Sequence, residues 1–211
     1  MWWTEVQTIG QRIAAGETRI HPTAIVEAGA TLDDSGGAIV IGARTKICAG
    51  AIVRGPIQIG ADCMLGNNAV LRGPIALGNN VRIGLATEIK NAVIRNRVSI
   101  GPMCYVADSI VDPEAYLGAM VRTSNHRLDG RSVHVRHEGR DIDTGCEKLG
   151  CWIGAKAALG IQVVILPGRV IAANSIFEPH MTIARNYPAG HYRLKQTIEA
   201  VEAVGDRKVA S

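Results

Sequence analysis

The sequence is poor in aromatic residues, which make up 4% of the chain and include a single phenylalanine. It also has no apolar run long enough to cross a bilayer, and its opening residues show no signal-peptide pattern. We therefore expect a cytoplasmic protein that does not enter a membrane. The shortage of large rings also indicates a narrow interior, lined by isoleucine, valine, leucine and alanine.

Cysteine is scarce and shows no pairing. The five cysteines are an odd number without regular spacing, which argues against a disulfide framework. Cys63 and Cys104 fall at small, inward positions of the repeat described below, so we expect them to pack in the core. Cys146 and Cys151 lie near two histidines, but not at the spacing of a zinc site, and we expect no metal in the active site.

A strong net charge is also absent. The formal charge of +4 at pH 7 does not indicate a nucleic-acid partner. One basic segment, without interleaved aromatic residues that could stack on bases, contains Arg122, His126, Arg127, Arg131, His134, Arg136, His137 and Arg140. This segment could be a solvated face or could bind a phosphate-bearing ligand, and the sequence leaves both open.

The sequence does contain a six-residue repeat, which runs from residue 39 to 122 and resumes from 152 to 182. An aliphatic residue recurs at every sixth position and is usually followed by glycine or alanine, as in Ile41-Gly42 and Ile59-Gly60. Neither a helix nor an alternating strand has this period, whereas short strands joined by tight turns do. The repeat predicts an all-β fold, a parallel β-helix built from hexapeptides.

A second spacing sets the length of one coil. The heptads AIVRGPI and AVLRGPI begin at residues 51 and 69, a displacement of 69 − 51 = 18 residues, or three hexapeptides. The predicted coil is therefore three-sided, and residues 18 apart should stack about 4.8 Å apart. This places Arg54, Arg72, Lys90 and Asp108 in one column, whose adjacent cations would favour an anion.

The chain begins with a predicted helix. Residues 1–19 contain an apolar stripe on Trp2, Val6, Ile9 and Ile13, at helical spacing. Because the end of a β-helix exposes unpaired strand edges, we expect this helix to cap the open first coil.

The β-helix itself is predicted over residues 20–185, with one long interruption. The repeat breaks at residues 123–150, and excursions of this length in compact proteins are usually functional. Within it, residues 131–137 alternate as a short strand or hairpin would. Residues 186–211 are predicted to be a C-terminal extension, whose short amphipathic helix, marked by Leu194, Ile198 and Val201, is expected to pack on the prism or on a neighbouring chain.

Several stretches together resemble a known family. They are LRG at 71–73, EIKN at 88–91, YVADS at 105–109, LGA at 117–119, NHRLDG at 125–130, KLG at 148–150 and IQVVILPG at 161–168. From about residue 67 to 168 the chain resembles hexapeptide-repeat acyltransferases. The likeness is to the acetyltransferase half of glucosamine-1-phosphate acetyltransferase / N-acetylglucosamine-1-phosphate uridylyltransferase and to its archaeal sugar-nucleotidyltransferase relatives. Their nucleotidyltransferase half has no counterpart in these 211 residues.

The resemblance implies a left-handed parallel β-helix assembled as a homotrimer, with acetyl-coenzyme A (acetyl-CoA) bound between neighbouring prisms as acyl donor. The implied acceptor is an amino sugar phosphate or a nucleotide-linked amino sugar, similar to glucosamine-1-phosphate. Left-handedness is an exception to the usual crossover rule, and the repeat spacing alone does not predict it.

Substrate-binding residues are carried over by position. Arg72 and Lys90 match the pair that holds the sugar phosphate in this family, and Tyr105 matches a tyrosine that contacts the substrate. We expect Tyr116 to border the sugar as well. The structural alternatives are solubilising charges for the two cations and a rim position for Tyr105.

Donor-binding residues are carried over in the same way. Ala119, Asn125, Ala155 and Ala173 fall where the family approaches acetyl-CoA, mostly through the backbone. The alternative for the three alanines is that they simply fill turns.

The general base departs from the family. The family has a histidine three residues before the tyrosine, and Pro102 occupies that position here; Tyr116 stands where the family has a substrate-binding asparagine. Acetyl transfer to an amine requires removal of a proton. We predict His126 as the catalytic base, with His134 and His137 of the excursion as alternatives.

Two functions therefore remain open from the sequence. The first is an acetyl-CoA-dependent N-acetyltransferase acting on a phosphorylated or nucleotide-linked amino sugar. The second is a non-catalytic trimeric scaffold or ligand-sensing subunit that partners a separate nucleotidyltransferase. A γ-class carbonic anhydrase would need three histidines from neighbouring coils, and none occurs between His21 and His126.

Overall fold

The computed structural model of the protein describes residues 1–13, 16–197 and 199. Its helix, α1, spans Trp2–Ile13. The strands are β1 Arg19–Ile20, β2 Ile25–Val26, β3 Thr31–Asp33, β4 Ile39–Ile41, β5 Lys46–Ile47, β6 Ile52–Arg54, β7 Ile57–Ile59, β8 Met64–Leu65, β9 Val70–Leu77, β10 Arg82–Ile83, β11 Glu88–Ile94, β12 Ser99–Ile100, β13 Tyr105–Val111, β14 Tyr116–Leu117, β15 Arg122–Thr123, β16 His134–His137, β17 Arg140–Asp143, β18 Trp152–Ile153, β19 Ala158–Leu159, β20 Val164–Ile165, β21 Val170–Ile171, β22 Ile176–Phe177, β23 Thr182–Ile183 and β24 His191–Tyr192.

Except for the hairpin β16–β17, these strands stack in parallel on three faces of a prism. The first face contains β1, β4, β7, the second halves of β9, β11 and β13, then β18 and β21. The second face runs from β2 through β5, β8, β10, β12, β14, β19 and β22 to β24. The third face contains β3, β6, the first halves of β9, β11 and β13, then β15, β20 and β23. The expectation of an all-β parallel β-helix is confirmed.

Coil length changes along the prism. On the second face Lys46 pairs with Met64 and Met64 with Arg82, a step of 82 − 64 = 18 residues. Arg82 then pairs with Ser99 and Ser99 with Tyr116, a step of 116 − 99 = 17 residues. The two coils after Arg82 are therefore one residue shorter than the sequence repeat predicts.

The predicted column of charges is correct for three of its four members. Arg54 pairs with Arg72, and Arg72 pairs with Lys90. The expectation for Asp108 is wrong, because in the shorter coil Lys90 pairs with Ala107. Asp108, the next residue along the chain, has a positive φ of 49° and lies beside the column.

The interior of the prism is aliphatic, as the composition predicts. Cys63 and Cys104 are each 2% exposed and contribute to the core, which confirms their packing role. Fully burying one of the many valine, leucine or isoleucine side chains contributes about 1.5–3 kcal/mol. At the C-terminal end Phe177 stacks on Tyr192, with ring centroids 4.8 Å apart.

Helix α1 does not cap the first coil, so this prediction is wrong. The helix packs against β9, β11 and β13, part-way along the prism. Its buried residues Trp2, Trp3, Val6 and Ile9 form a second apolar cluster with Val93 and Ile110 of the first face and with Val133, Val135 and Leu149 of the excursion. In the first coil Ile25 stays 56% exposed. An apolar stripe shows that a helix face is buried but not what covers it.

The excursion leaves the prism after β15 and returns at β18. Its strands β16 and β17 pair antiparallel, with His134 opposite Asp143 and His137 opposite Arg140, so the predicted hairpin is confirmed. Through Val133 and Val135 the hairpin packs on the same cluster as α1. The excursion is thereby held against the prism rather than projecting freely.

The C-terminal extension shows no helix over residues 193–197, and Leu194 is 47% exposed. Ile198 and Val201, which completed the predicted apolar stripe, lie outside the described residues. Within the described ranges, no helix combines the length and the apolar character needed to cross a membrane.

Candidate functional site

A cavity of about 540 Å³ opens where the excursion leaves the prism. Its polar lining includes His126, Arg127, Asp129, His134 and Arg169, and its apolar lining includes Leu128, Val133, Leu166 and Pro167. The excursion therefore contributes one wall and the turn before β21 contributes the other. The cavity combines possible proton acceptors with two guanidinium groups.

His126 is oriented by the returning strand of the excursion. Its backbone forms an antiparallel bridge with Lys148, and its Nδ1 lies 3.3 Å from the carbonyl oxygen of Glu147. A carbonyl oxygen can only accept, so in the neutral ring Nδ1 carries the proton and Nε2 keeps its lone pair. This is the tautomer that a general base needs.

The two alternative histidines are placed differently. His134 lines the cavity, but its Nδ1 lies 2.9 Å from Asp141 and its Nε2 lies 3.9 Å from Asp143, so both ring nitrogens face carboxylates. His137 packs edge-on against Trp3 at 6.2 Å, on the side of the hairpin that faces α1. His126 differs from His134 in having no carboxylate within 4.0 Å of either ring nitrogen among the described residues.

A buried carboxylate, which the sequence predicted in the column of charges, joins the prism to the start of the excursion. Asp108, 3% exposed, accepts hydrogen bonds from Asn91 Nδ2 at 2.7 Å and Asn125 Nδ2 at 2.5 Å, and its Oδ2 lies 3.3 Å from Lys90 Nζ. Asp108 is therefore bonded to the residue that precedes His126. The one-residue shortening of the coil, which moves Asp108 out of the column, gave no clear sequence signal.

The predicted substrate residues Arg72, Lys90 and Tyr105 come together on the third face. Arg72 Nε donates to Glu88 at 2.8 Å, and Glu88 pairs with Tyr105 across neighbouring strands. Burial raises the pKa of Tyr105, and the charge of Glu88 raises it further. None of the three residues lines the cavity that contains His126.

Both cations of the predicted phosphate site already have carboxylate partners, which the sequence did not anticipate. Arg72 is paired with Glu88, and Lys90 is paired with Asp108. A phosphate would therefore compete with these carboxylates, rather than neutralise an unpaired column.

The other predicted positions lie on two edges of the prism and on the second face. Ala119 occupies the turn between β14 and β15, where its carbonyl accepts from Gln162 N at 2.9 Å. Ala155 and Ala173 occupy stacked turns between the first and second faces, while Tyr116 is 52% exposed on the second face. A single prism brings Ala155 and Ala173 together but not these two with Ala119.

No group of three or more histidine, cysteine, aspartate or glutamate side chains within the described ranges is arranged to hold a metal ion. Cys151 is fully buried, and burial raises the pKa of its thiol to about 12. Cys146 is half-buried and lies 2.8 Å from Gln7 Nε2 of α1.

Residues 53–140 match the family described as the GMPPB C-terminal domain. Over 167 residues the chain is 56% identical to the uncharacterized acetyltransferase YaiX of Escherichia coli O6:K15:H31 (strain 536 / UPEC), covering 79% of this chain and 73% of that protein. The chain belongs to the YaiX acetyltransferase family. Its expected membership of the hexapeptide-repeat acyltransferases is confirmed.

More distant similarities extend beyond that family. The chain is 34% identical over 111 residues to the bifunctional sugar-1-phosphate nucleotidylyltransferase/acetyltransferase of Sulfurisphaera tokodaii (strain DSM 16993 / JCM 10545 / NBRC 100140 / 7). That match covers 53% of this chain and 28% of the relative. The solved structure of the polySia-specific acetyltransferase NeuO aligns with 90% of this chain and 92% of its own, at a TM-score of 0.45 and 14% identity.

Proposed function

We propose that this protein moves an acetyl group from acetyl-CoA to the amino group of an amino sugar phosphate or a nucleotide-linked amino sugar, with His126 as general base. The observation that carries the proposal is the hydrogen bond between His126 Nδ1 and the Glu147 carbonyl, in a residue that lines the cavity. Membership of an acetyltransferase family supports the reaction class, and the sugar-1-phosphate relative supports the acceptor class.

The reaction needs one proton acceptor and one proton donor. The acceptor nitrogen attacks the thioester carbonyl carbon while His126 Nε2 takes its proton, and the C–S bond then breaks. The imidazolium returns the proton to the departing thiolate, so that free coenzyme A and the N-acetylated sugar leave. A positioned base of this kind contributes typically about 10²- to 10⁴-fold in rate.

Substrate and donor contacts follow the positions carried over from the family. Arg72 and Lys90 would exchange their carboxylate partners for the sugar phosphate, and Tyr105 lies beside them. Ala119 lies on the edge between the second and third faces, whereas Ala155 and Ala173 lie on the edge between the first and second faces. In a homotrimer, acetyl-CoA bound between two prisms would contact one of these edges on one prism and the other edge on its neighbour.

The direct test follows release of the free thiol from acetyl-CoA in the presence of glucosamine-1-phosphate. We expect His126→Ala to lower kcat by about 10²- to 10⁴-fold without changing the melting temperature. The matched control is His21→Ala, on the exposed first coil, which should retain full activity. Unchanged activity of His126→Ala, or no turnover with any amino sugar phosphate, would contradict the proposal.

One observation favours a second candidate, a non-catalytic scaffold or sensor that partners a nucleotidyltransferase. The predicted phosphate-binding cations are both paired with carboxylates, as in a structural ion-pair network. In that case calorimetry would detect binding of coenzyme A without turnover, and the protein would co-purify with a nucleotidyltransferase.

A further inference from the structure

Arg169 is the second guanidinium group of the cavity, and its contacts differ from those of Arg127. It is half-buried, and its N–H groups donate to the carbonyl oxygens of Pro167, Ala184 and His134 at 3.0, 3.4 and 3.5 Å. Within the part of the chain that the structure describes, no carboxylate oxygen lies within 4.0 Å of it. Its hydrogen-bond partners are therefore neutral carbonyl groups alone.

The cavity's other guanidinium is already neutralised. Arg127 donates to both carboxylate oxygens of Asp129, at 2.9 and 2.5 Å. The nearby imidazole of His134 has Asp141 at its Nδ1. Arg169 thus has no directly paired carboxylate within the described residues, and Asp141 acts on its charge only from beyond 4.0 Å.

Burial lowers the pKa of Arg169. The nearby charge of Arg127 lowers this pKa further, whereas the charge of Asp141 raises it. A guanidinium has five N–H donors in a planar fork, and three contacts leave two of them for a ligand. The two longer contacts, to Ala184 and His134, are also weak enough to be exchanged.

We propose that Arg169 binds an anionic group of the acyl acceptor, a phosphate or a carboxylate, within the cavity that His126 lines. This inference rests on the proposed function, because it assigns a binding role for the acceptor of that reaction. For a sugar with a single phosphate, this assignment replaces the one to Arg72 and Lys90, which do not line this cavity and are already paired with carboxylates.

The physical reason lies in what the anion replaces. A phosphate approaching Arg72 must displace Glu88, whereas one approaching Arg169 displaces no carboxylate. A charge-assisted, bidentate contact with a half-buried guanidinium is also stronger than one with a fully solvated side chain. An acceptor that carries an anionic group would therefore be selected over its neutral counterpart.

The experiment measures binding by calorimetry and turnover by thiol release, on the full-length protein. The acceptors are glucosamine-1-phosphate, glucosaminuronic acid and neutral glucosamine, which separate a phosphate, a carboxylate and no anion. We expect Arg169→Gln to weaken binding and raise KM at least tenfold for one or both anionic sugars, and less than twofold for glucosamine. The matched control, Arg19→Gln on the exposed strand β1, should leave all three unchanged.

Further arms separate the other roles that Arg169 could have. Arg169→Lys keeps the charge but loses the fork, so we expect an intermediate loss of binding. It also decides the question if Arg169→Gln fails to fold. Equal losses for charged and neutral sugars would show a purely structural role and overturn the inference. If Arg169→Gln weakened binding of coenzyme A alone, and not of 3′-dephospho-coenzyme A or of the sugars, Arg169 would bind the donor's 3′-phosphate. That result would also overturn the inference.

Failure of this inference and failure of the proposed function give different results. Turnover that is insensitive to Arg169 would contradict only the anion site. Arg169-dependent binding of an anionic sugar without any acetyl transfer would contradict only the enzymatic function.

Discussion

Substitution of Asp108 should destabilise the site, because this carboxylate contacts three of its residues. Its carboxylate contacts Lys90, Asn91 and Asn125 in a nearly water-free position. Breaking a buried ion pair by removing one partner costs about 3–5 kcal/mol, and the partial exposure of Lys90 favours the lower end.

We therefore predict that Asp108→Asn lowers the free energy of unfolding by about 3 kcal/mol, measured by urea denaturation. The double variant with Lys90→Met should recover part of the loss, because no unpaired charge then remains. The comparison is Glu114→Gln, which removes the partner of Arg97 in an exposed pair and should have little effect. Equal effects of the two single variants would show that burial does not govern this network.

Cys151 gives a prediction about pH. Its pKa is raised to about 12 in the folded protein, whereas an unfolded thiol titrates near pH 8.5. The stabilisation is therefore complete below about pH 8.5 and is lost as pH rises toward 12. We expect the free energy of unfolding to fall by up to about 1.4 kcal/mol per pH unit over this window.

Cys151→Ala should flatten the slope measured by urea denaturation between pH 8.5 and 10.5, whatever its effect on stability at pH 7. Cys146→Ala, at a half-buried thiol, is the control that should retain the slope. An unchanged slope in Cys151→Ala would mean that other groups dominate this pH range.

Among the elements, α1 and the hairpin depend on one another. Trp3 is 4% exposed, and its ring lies against the first face and the hairpin through a shared apolar cluster. Trp3→Ala should cost about 3–5 kcal/mol and free the hairpin before the prism unfolds. Limited trypsin digestion should then cut first at Arg136 or Arg140. Gln11→Ala, on the exposed side of α1, should leave digestion unchanged.

The turn that contains Gly168 fixes the other wall of the cavity. Gly168 has a φ of 74°, and a Cβ there would overlap the carbonyl oxygen of His134. Gly139 has a similar φ of 77° but open space around it, so Gly139→Ala carries the conformational cost alone. We predict that Gly168→Ala lowers the melting temperature and acetyl transfer more than Gly139→Ala does. Equal effects would show that the close approach is unimportant.

At the scale of the whole molecule, the sequence predicts what repeats and misses what does not. The six-residue period sets one face and the 18-residue displacement sets three faces to a coil, so the prism was predictable, and the break in the period located the hairpin-bearing interruption. The docking site of α1 was not, because its stripe fits any apolar surface. The partners of Arg72 and Lys90 were missed for two reasons. Glu88 reaches Arg72 diagonally within the regular register, and Asp108 reaches Lys90 through a local change of register that periodicity does not reveal.

The second face suggests how whole molecules associate. Met64, Tyr116 and Ile176 on this face, and Leu85, Met103 and Ile161 along its edge with the third face, are each between 39% and 52% exposed. Exposed apolar residues aligned on one side of a protein indicate an interface, and a closed ring of three prisms would cover this stripe in every copy.

We therefore predict a homotrimer, measured by sedimentation equilibrium. Leu85→Glu or Ile161→Glu should dissociate it to monomers, because association would bury an unpaired carboxylate. Gln58→Glu introduces the same charge on the first face and should leave the trimer intact. If acetyl-CoA binds between prisms, the dissociated variants should also lose acetyl transfer while keeping a folded circular dichroism spectrum. If the monomers retained full activity, the whole donor site would lie within a single chain.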